Sequence, residues 1–416
     1  MNFNPEHFVR VYLIIFILAV SSIFYAVYQQ VVFVKKQRRD LLHNFHDDNS
    51  DNITYSDYLE IRFREKRVNM QNIIKIKALI KKINTRQKVF NAALGPLAHE
   101  TPVVVIQVHS NVMYLRQLLA SLRLANGIHQ AFIIFSHDYF SNEINRLIRG
   151  IYFVRYMQIF YPYSIQLHPN VYPGHDSTFC TDGYVCTKSN MRDPEAAQLK
   201  HHWWWQANQI FDHLEIMQRF NSTLVFLEEG DYVTKDFFFA YRLLKKARNT
   251  HCPFCEVLSL AAHEPEMSTY AKRTMMTVEI WTNRIRRTGI AFNTKIWKAL
   301  KTYSQAFCFH NDYNWDSSFR NVALKKWESN IYMTAISGPR VFHLEKCDDR
   351  DSGCRVEYQV EEIQKFLQLI SKTLFPWGFV MVVKKEEEFN GSALGLWEDV
   401  RDRELCMHFA EHSVWF

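Results

Sequence analysis

Three carboxylates arrive together at the end of a short apolar run in Leu224-Val-Phe-Leu-Glu-Glu-Gly-Asp-Tyr232: Glu228, Glu229 and Asp231. In open α/β proteins ligands gather beyond the carboxyl ends of the strands. Clustered carboxylates at such a place suit a hard divalent cation carrying the phosphates of a nucleotide. A polar turn closing a buried strand is the plainer reading of the same residues. Asp138 closes a second apolar run, Ala131-Phe-Ile-Ile-Phe135, where an aspartate either meets a ribose or base or caps the next helix. Asn311-Asp-Tyr-Asn-Trp-Asp316 places an acidic and aromatic patch at a helix start, and Pro339-Arg-Val-Phe-His343 ends a strand on histidine. In Lys200-His-His-Trp-Trp-Trp-Gln206 the three tryptophans point in three directions around a helix, so at least one or two belong to the core.

The elements that position these residues read as an α/β fold. Val103-Val-Val-Ile-Gln-Val108 is a continuous β-branched run, the mark of a strand buried on both faces. Tyr114–Leu124 is amphipathic and ends at Asn126-Gly127, and a helix is expected over Glu143–Ile151 after the second strand. Strand, helix, strand, helix predicts parallel, right-handed βαβ units. Residues 152–200 are less regular. Beyond Leu224 the pattern gives a helix over Lys235–Ala247, a strand at Val257–Leu260, and a glycine-containing turn with a short strand over Arg287–Phe292.

The chain has 416 residues, 48% hydrophobic and 22% charged, enough for one large globular domain with accessory segments. Its net charge of +7 is spread thinly, with no dense basic stripe, which argues against a nucleic-acid partner. Val11–Val34 carries no charge and is long enough for a membrane-spanning helix, with no small-residue cleavage site after it. The expected organisation is a cytoplasmic tail over 1–10, a signal-anchor over 11–34, a charged stem over 35–100 with a basic amphipathic helix near Asn72–Val89, and the globular domain over 101–416. Lys35, Lys36, Arg38 and Arg39 after the anchor would place that domain in the cytosol by the positive-inside rule. Eight cysteines and three N-x-Ser/Thr sequons, at Asn52, Asn221 and Asn390, argue for the opposite side. Cys180/Cys186, Cys252/Cys255 and Cys347/Cys354 are close pairs that leave Cys308 and Cys406 over, although Cys252-Pro-Phe-Cys255 alone also fits half a metal site. The body is read as lumenal.

From Val103 to Cys406 the sequence resembles the Golgi N-acetylglucosaminyltransferase II family. The segments that carry the likeness are Ile106–His109, Tyr114–Arg123, Phe135–Asn145, Lys200–Trp205, Phe226–Glu229, Asp312–Asp316, Phe342–His343 and Arg401–Cys406. The resemblance implies a GT-A-like, Rossmann-type fold with a mostly parallel central sheet, UDP-GlcNAc as donor, Mn²⁺ as cofactor, inversion at the anomeric carbon and a type II Golgi membrane topology. It implies an N-glycan acceptor on glycoproteins, with GlcNAc passing to the 2-hydroxyl of the α1,6-linked mannose. By position, Gln107, His109 and Asp138 would line the uridine pocket, His201 would lie near the diphosphate, and Glu228 and Glu229 beside donor sugar and ribose. Asp316 would be the catalytic base, and the cation would fall to His343 with Asp231.

Several positions depart from the family. Gly230 stands where the family has its metal-binding aspartate, and Asp231 where it has histidine; a positive φ at Gly230 would let Asp231 swing towards the cation. Asn111 replaces an arginine beside the nucleotide, and Arg287 an asparagine beside the donor sugar, where its charge is able to neutralise a leaving group. These changes leave two further readings open: a paralogue that binds glycan or a partner transferase without turnover, and a transferase with another donor or acceptor.

Overall fold

The computed structural model describes residues 55–176, 192–219, 223–262, 265–271, 275–282, 287–327, 330–347, 355–384 and 397–412. The chain divides by packing into Met1–Asn69 and Met70–Phe416. Val11–Val34, the three sequons and Cys180, Cys186 and Cys354 lie outside the described residues, among which no helix is long and apolar enough to cross a membrane.

Strands β1 (Val103–Val108), β2 (Phe132–His137), β3 (Arg155–Phe160), β4 (Thr223–Glu228), β6 (Val257–Ser259), β7 (Met275–Ile280), β8 (Ile290–Asn293), β9 (Tyr332–Ile336) and β11 (Val380–Val383) form one sheet. Its spatial order is β11-β7-β9-β6-β8-β4-β1-β2-β3. The half containing β4, β1, β2 and β3 is parallel throughout, as the βαβ rhythm predicts. The other half is mixed, because β8 runs antiparallel to both β4 and β6, and β7 antiparallel to β9. A separate ribbon pairs β5 (Asp231–Val233) with β10 (Val341–His343), in register Asp231 to His343.

All six residues of β1 are buried, as a strand packed on both faces requires. Helices matter to the site in five places: α1 (Tyr55–Arg86), α2 (Val112–Leu124), α3 (Pro194–Asn208), α4 (Trp315–Val322) and α5 (Val400–Glu411). Within the larger unit α1 buries Ile80 against Phe140, Phe160 and Leu167. Asn84 at its end exchanges two 2.8 Å hydrogen bonds with the backbone of Phe160, its amide donating to the carbonyl and its oxygen accepting from the N–H.

The motif Lys200–Gln206 lies inside α3, after a proper start: Asp193 accepts hydrogen bonds from the N–H groups of Glu195 and Ala196, and Pro194 occupies the first turn. Trp203, Trp204 and Trp205 are all buried, so none is free to stack on a sugar. Trp203 lies flat on Trp315 at 3.9 Å between ring centroids, tying α3 to the helix that carries Asp316. The Trp204 indole donates to the carbonyl of Cys406, and that of Trp397 to the carbonyl of Cys308. Cys308 and Cys406 lie at disulfide distance, with Cα atoms 5.6 Å apart, and so do Cys252 and Cys255 at 5.4 Å. Trp203→Ala is expected to destabilise the protein by about 3–5 kcal/mol, because it opens a cavity under α4. Denaturant unfolding followed by tryptophan fluorescence measures this.

Candidate functional site

A cavity of about 400 Å³ opens at the carboxyl ends of β1 and β4, within the range of small-molecule sites. Gln107, His109, Glu228, Glu229, Arg287 and His343 line it, together with Gly230, Asn314, Trp315 and Lys346. Residues from distant parts of the chain meet here because parallel β1 and β4 run in register, Gln107 opposite Glu228.

Glu229 braces the loop after β1. One carboxylate oxygen accepts from the His109 N–H at 2.8 Å and the other from the Asn111 N–H at 3.1 Å. Burial pushes its carboxyl up, opposed by His109. Asn111 caps α2, its side chain accepting from the N–H groups of Met113 and Tyr114. Behind the cavity His109 Nδ1 lies 2.6 Å from Asp138 Oδ2. Burial opposes the charge on His109, but Asp138 outweighs it and raises the imidazole to about 9. Burial likewise opposes ionisation of Asp138, yet His109 holds its carboxyl well below the usual range. Asp138 thus stands behind His109 and does not itself reach the lining.

The KHHWWW motif supplies the next partner one residue later than expected. His202, not His201, backs the site through the lining residue Gln107: its Nδ1 lies 3.1 Å from Gln107 Nε2 and its Nε2 lies 2.8 Å from Ser136 Oγ. His201 is buried on a different side of the helix, with Nε2 3.0 Å from Asp402 Oδ1, and it does not line the cavity. One residue along a helix turns a side chain by about 100°, so neighbouring histidines serve different structures. Asp402 also takes the Arg192 guanidinium at 2.6 and 2.8 Å, which makes His201 part of the anchor of α5.

Asp231 carries the largest correction to the sequence reading. It is fully buried. Oδ1 accepts from His343 Nδ1 at 2.9 Å, and Oδ2 accepts from the Glu228 N–H at 2.8 Å and from the Thr288 hydroxyl. Both oxygens are therefore committed to the protein, and a cation beside His343 meets imidazole and not this carboxylate. Gly230 does not take the positive φ that would swing Asp231 outward; Gly289 does, at 66°, and that turn delivers Thr288 to Asp231. A Cβ at position 230 would lie 3.3 Å from His343 Cε1, so a side chain there would stand beside the imidazole. The hydrogen bond that His343 donates to Asp231 raises the imidazole above its ordinary pKa against the effect of burial.

Asp316 sits in the first turn of α4, with Oδ2 accepting from Arg320 Nη1 at 2.7 Å. It is not in the cavity lining, although its neighbours Asn314 and Trp315 are. Lys200, invisible as a site residue in the sequence, holds this loop from below: its ammonium donates to the carbonyls of His310 and Asp312. Arg287 spans the cavity, with Nε 3.2 Å from Glu228 Oε1 and Nη1 3.2 Å from Asn314 Oδ1.

Imidazole and carboxylate are donor types that a divalent cation accepts. His109, Asp138 and His202 bring three such atoms within 4.8 Å of one another, and His343 has Nε2 left over on a ring that lines the cavity. For His343 the arrangement is that of an imidazole oriented by an outer carboxylate.

The mixed, mostly parallel sheet with this cavity at its carboxyl edge agrees with the GT-A-like layout that the family resemblance implies. The family model for N-acetylglucosaminyltransferase II matches residues 77–406, and the chain belongs to that family. It is 31% identical over 359 residues to the human alpha-1,6-mannosyl-glycoprotein 2-beta-N-acetylglucosaminyltransferase, covering 81% of this chain and 79% of the relative. The Arabidopsis thaliana protein of the same name is 29% identical over 345 residues, 77% of each chain. Among solved structures, S. aureus TarS 1-349 in complex with UDP-GlcNAc overlaps at a TM-score of 0.33 with 12% identity over 66% of each chain, too loose a likeness to add weight.

The His109–Asp138 pair gives a pH signature. His109 folds with its pKa raised and Asp138 with its own depressed. Their mutual stabilisation is thus complete between roughly pH 4 and 6.5 and fades as pH rises towards 9. An NMR titration of His109 is expected to show a midpoint near 9, falling clearly in Asp138→Asn, where only Glu229 and Glu228 are left to oppose burial.

Proposed function

We propose that the protein transfers GlcNAc from UDP-GlcNAc to the 2-hydroxyl of the α1,6-linked mannose of N-glycan intermediates, with inversion. Family membership over residues 77–406 carries this reading. The cavity adds imidazoles, carboxylates and an arginine at the strand ends where a nucleotide sugar would lie.

The chemistry divides among residues already placed. Gln107 and His109, backed by Asp138 and His202, form the wall for the uridine. Glu228 and Glu229 stand at the strand end for the donor sugar and ribose. Asp316 is the base that takes the proton from the attacking hydroxyl; it lies at the start of α4 beside the lining residues Asn314 and Trp315, with Arg320 fixing its rotamer. A divalent cation, Mn²⁺ on the family resemblance, would be held by His343 Nε2. When bound, it supplies Lewis-acid neutralisation of the departing diphosphate.

For topology we propose a type II Golgi membrane protein with a lumenal body, anchored by Val11–Val34. The close approach of Cys252 to Cys255 and of Cys308 to Cys406 supports an oxidising compartment.

The test is transfer to a trimannosyl core bearing GlcNAc, measured with purified protein and UDP-GlcNAc. Asp316→Asn is expected to lower turnover by about 10²–10⁴-fold while UDP binding stays within about twofold. Turnover unchanged by this substitution assigns the base elsewhere, and no transfer by the unaltered protein removes the reading for this acceptor.

A further inference from the structure

Arg287 and Lys346 line the same cavity as Gly230 and His343. Arg287 is held in place: Nε faces Glu228 and Nη1 faces Asn314, each at 3.2 Å, and these contacts leave its Nη2 edge uncommitted. Its side chain is 40% exposed, so the guanidinium is presented and not sequestered. A guanidinium fixed by two neighbours is pre-organised for bidentate contact with phosphate oxygens. Lys346 follows β10 by three residues and is exposed beside the same opening.

The charges around the opening are unbalanced. Glu228 alone is directly paired with Arg287, and Glu229 is committed to two backbone N–H groups. Asp231 is turned into the protein and spent on His343, Thr288 and the Glu228 N–H. Gly230 contributes no side chain at all, so no carboxylate projects from it to repel a phosphate or to need a cation as a bridge. Arg287, Lys346 and His109 face this depleted anionic side.

We propose that Arg287 and Lys346 bind the diphosphate of the nucleotide donor directly, so that nucleotide binding does not require a divalent cation. This rests on the nucleotide-sugar reading above. The fixed guanidinium takes over part of the neutralisation that a metal-bound carboxylate at position 230 would otherwise organise, as preorganised cations do at departing phosphates.

The experiment is calorimetric titration of the full chain with UDP and, separately, with uridine, in excess EDTA and again with Mn²⁺. UDP is expected to bind in EDTA within about tenfold of its affinity with Mn²⁺. Arg287→Gln and Lys346→Gln are each expected to weaken UDP by about tenfold or more in EDTA and to leave uridine within about twofold, the size of a lost hydrogen bond to a charged group. Thermal unfolding of both variants checks that the fold is intact, and Arg287→Lys is expected to recover part of the UDP affinity. UDP binding that vanishes in EDTA and returns with Mn²⁺ overturns the proposal while the donor reading stands. Equal loss of UDP and uridine affinity in the variants also overturns it, by assigning the residues a structural role. No binding of either ligand under any condition removes the nucleotide-sugar reading itself.

Discussion

A buried carboxylate organises the mouth of this site. Taking an ionised aspartate out of water is costly unless its oxygens are satisfied. Asp231 meets that demand with three donors from three parts of the chain: His343 from β10, the Glu228 N–H from the end of β4, and Thr288 from the turn that Gly289 makes possible. The register of β5 with β10, the aim of Glu228 and the orientation of His343 all depend on it. The sequence shows a third acidic residue beside two others. In the structure it faces inward, while Glu228 and Glu229 reach the cavity.

Position 230 explains why this matters. A side chain there would stand against the His343 ring, on the cavity side, whereas Asp231 grips the same ring through Nδ1 from within. An acidic residue at 231 therefore aims an imidazole from within, whereas a side chain at 230 would face the cavity. Arg287, which ties Glu228 to Asn314, stands across the same opening. The cavity carries no side chain at Gly230 and presents a fixed cation, Arg287, in the same lining.

Much of the framework was legible because its signals are local. The β-branched run of β1, the apolar run of β2 and the amphipathic pattern of α2 each declare burial without help from the rest of the chain. Strand β3 was not legible, since Arg155 and Gln158 interrupt its apolar pattern although both are buried. The Nη1 and Nη2 groups of Arg155 donate there to the carbonyls of Gly95, Pro96 and Gln130, partners that no local pattern shows. Strands β9 and β11 are short, and β7, β9 and β11 all reach the sheet only through pairing between distant segments. The His201–His202 doublet marked the right helix turn, but which member faces the sheet depends on how α3 rolls. That roll is set by Trp203 on Trp315 and by Asp402 on His201, contacts between residues far apart in sequence. Likewise the sequence offers Asp231 and His343 as a pair but cannot tell a shared ligand from a direct hydrogen bond.

That distinction is measurable by ¹⁵N NMR of the histidine rings at a pH high enough to neutralise His343. Asp231 as acceptor predicts that His343 carries its proton on Nδ1, with Nε2 as the unprotonated nitrogen, and that Asp231→Ala abolishes this preference. A neutral ring protonated on Nε2 in the unaltered protein would contradict the assignment and return Asp231 to the role of a direct ligand.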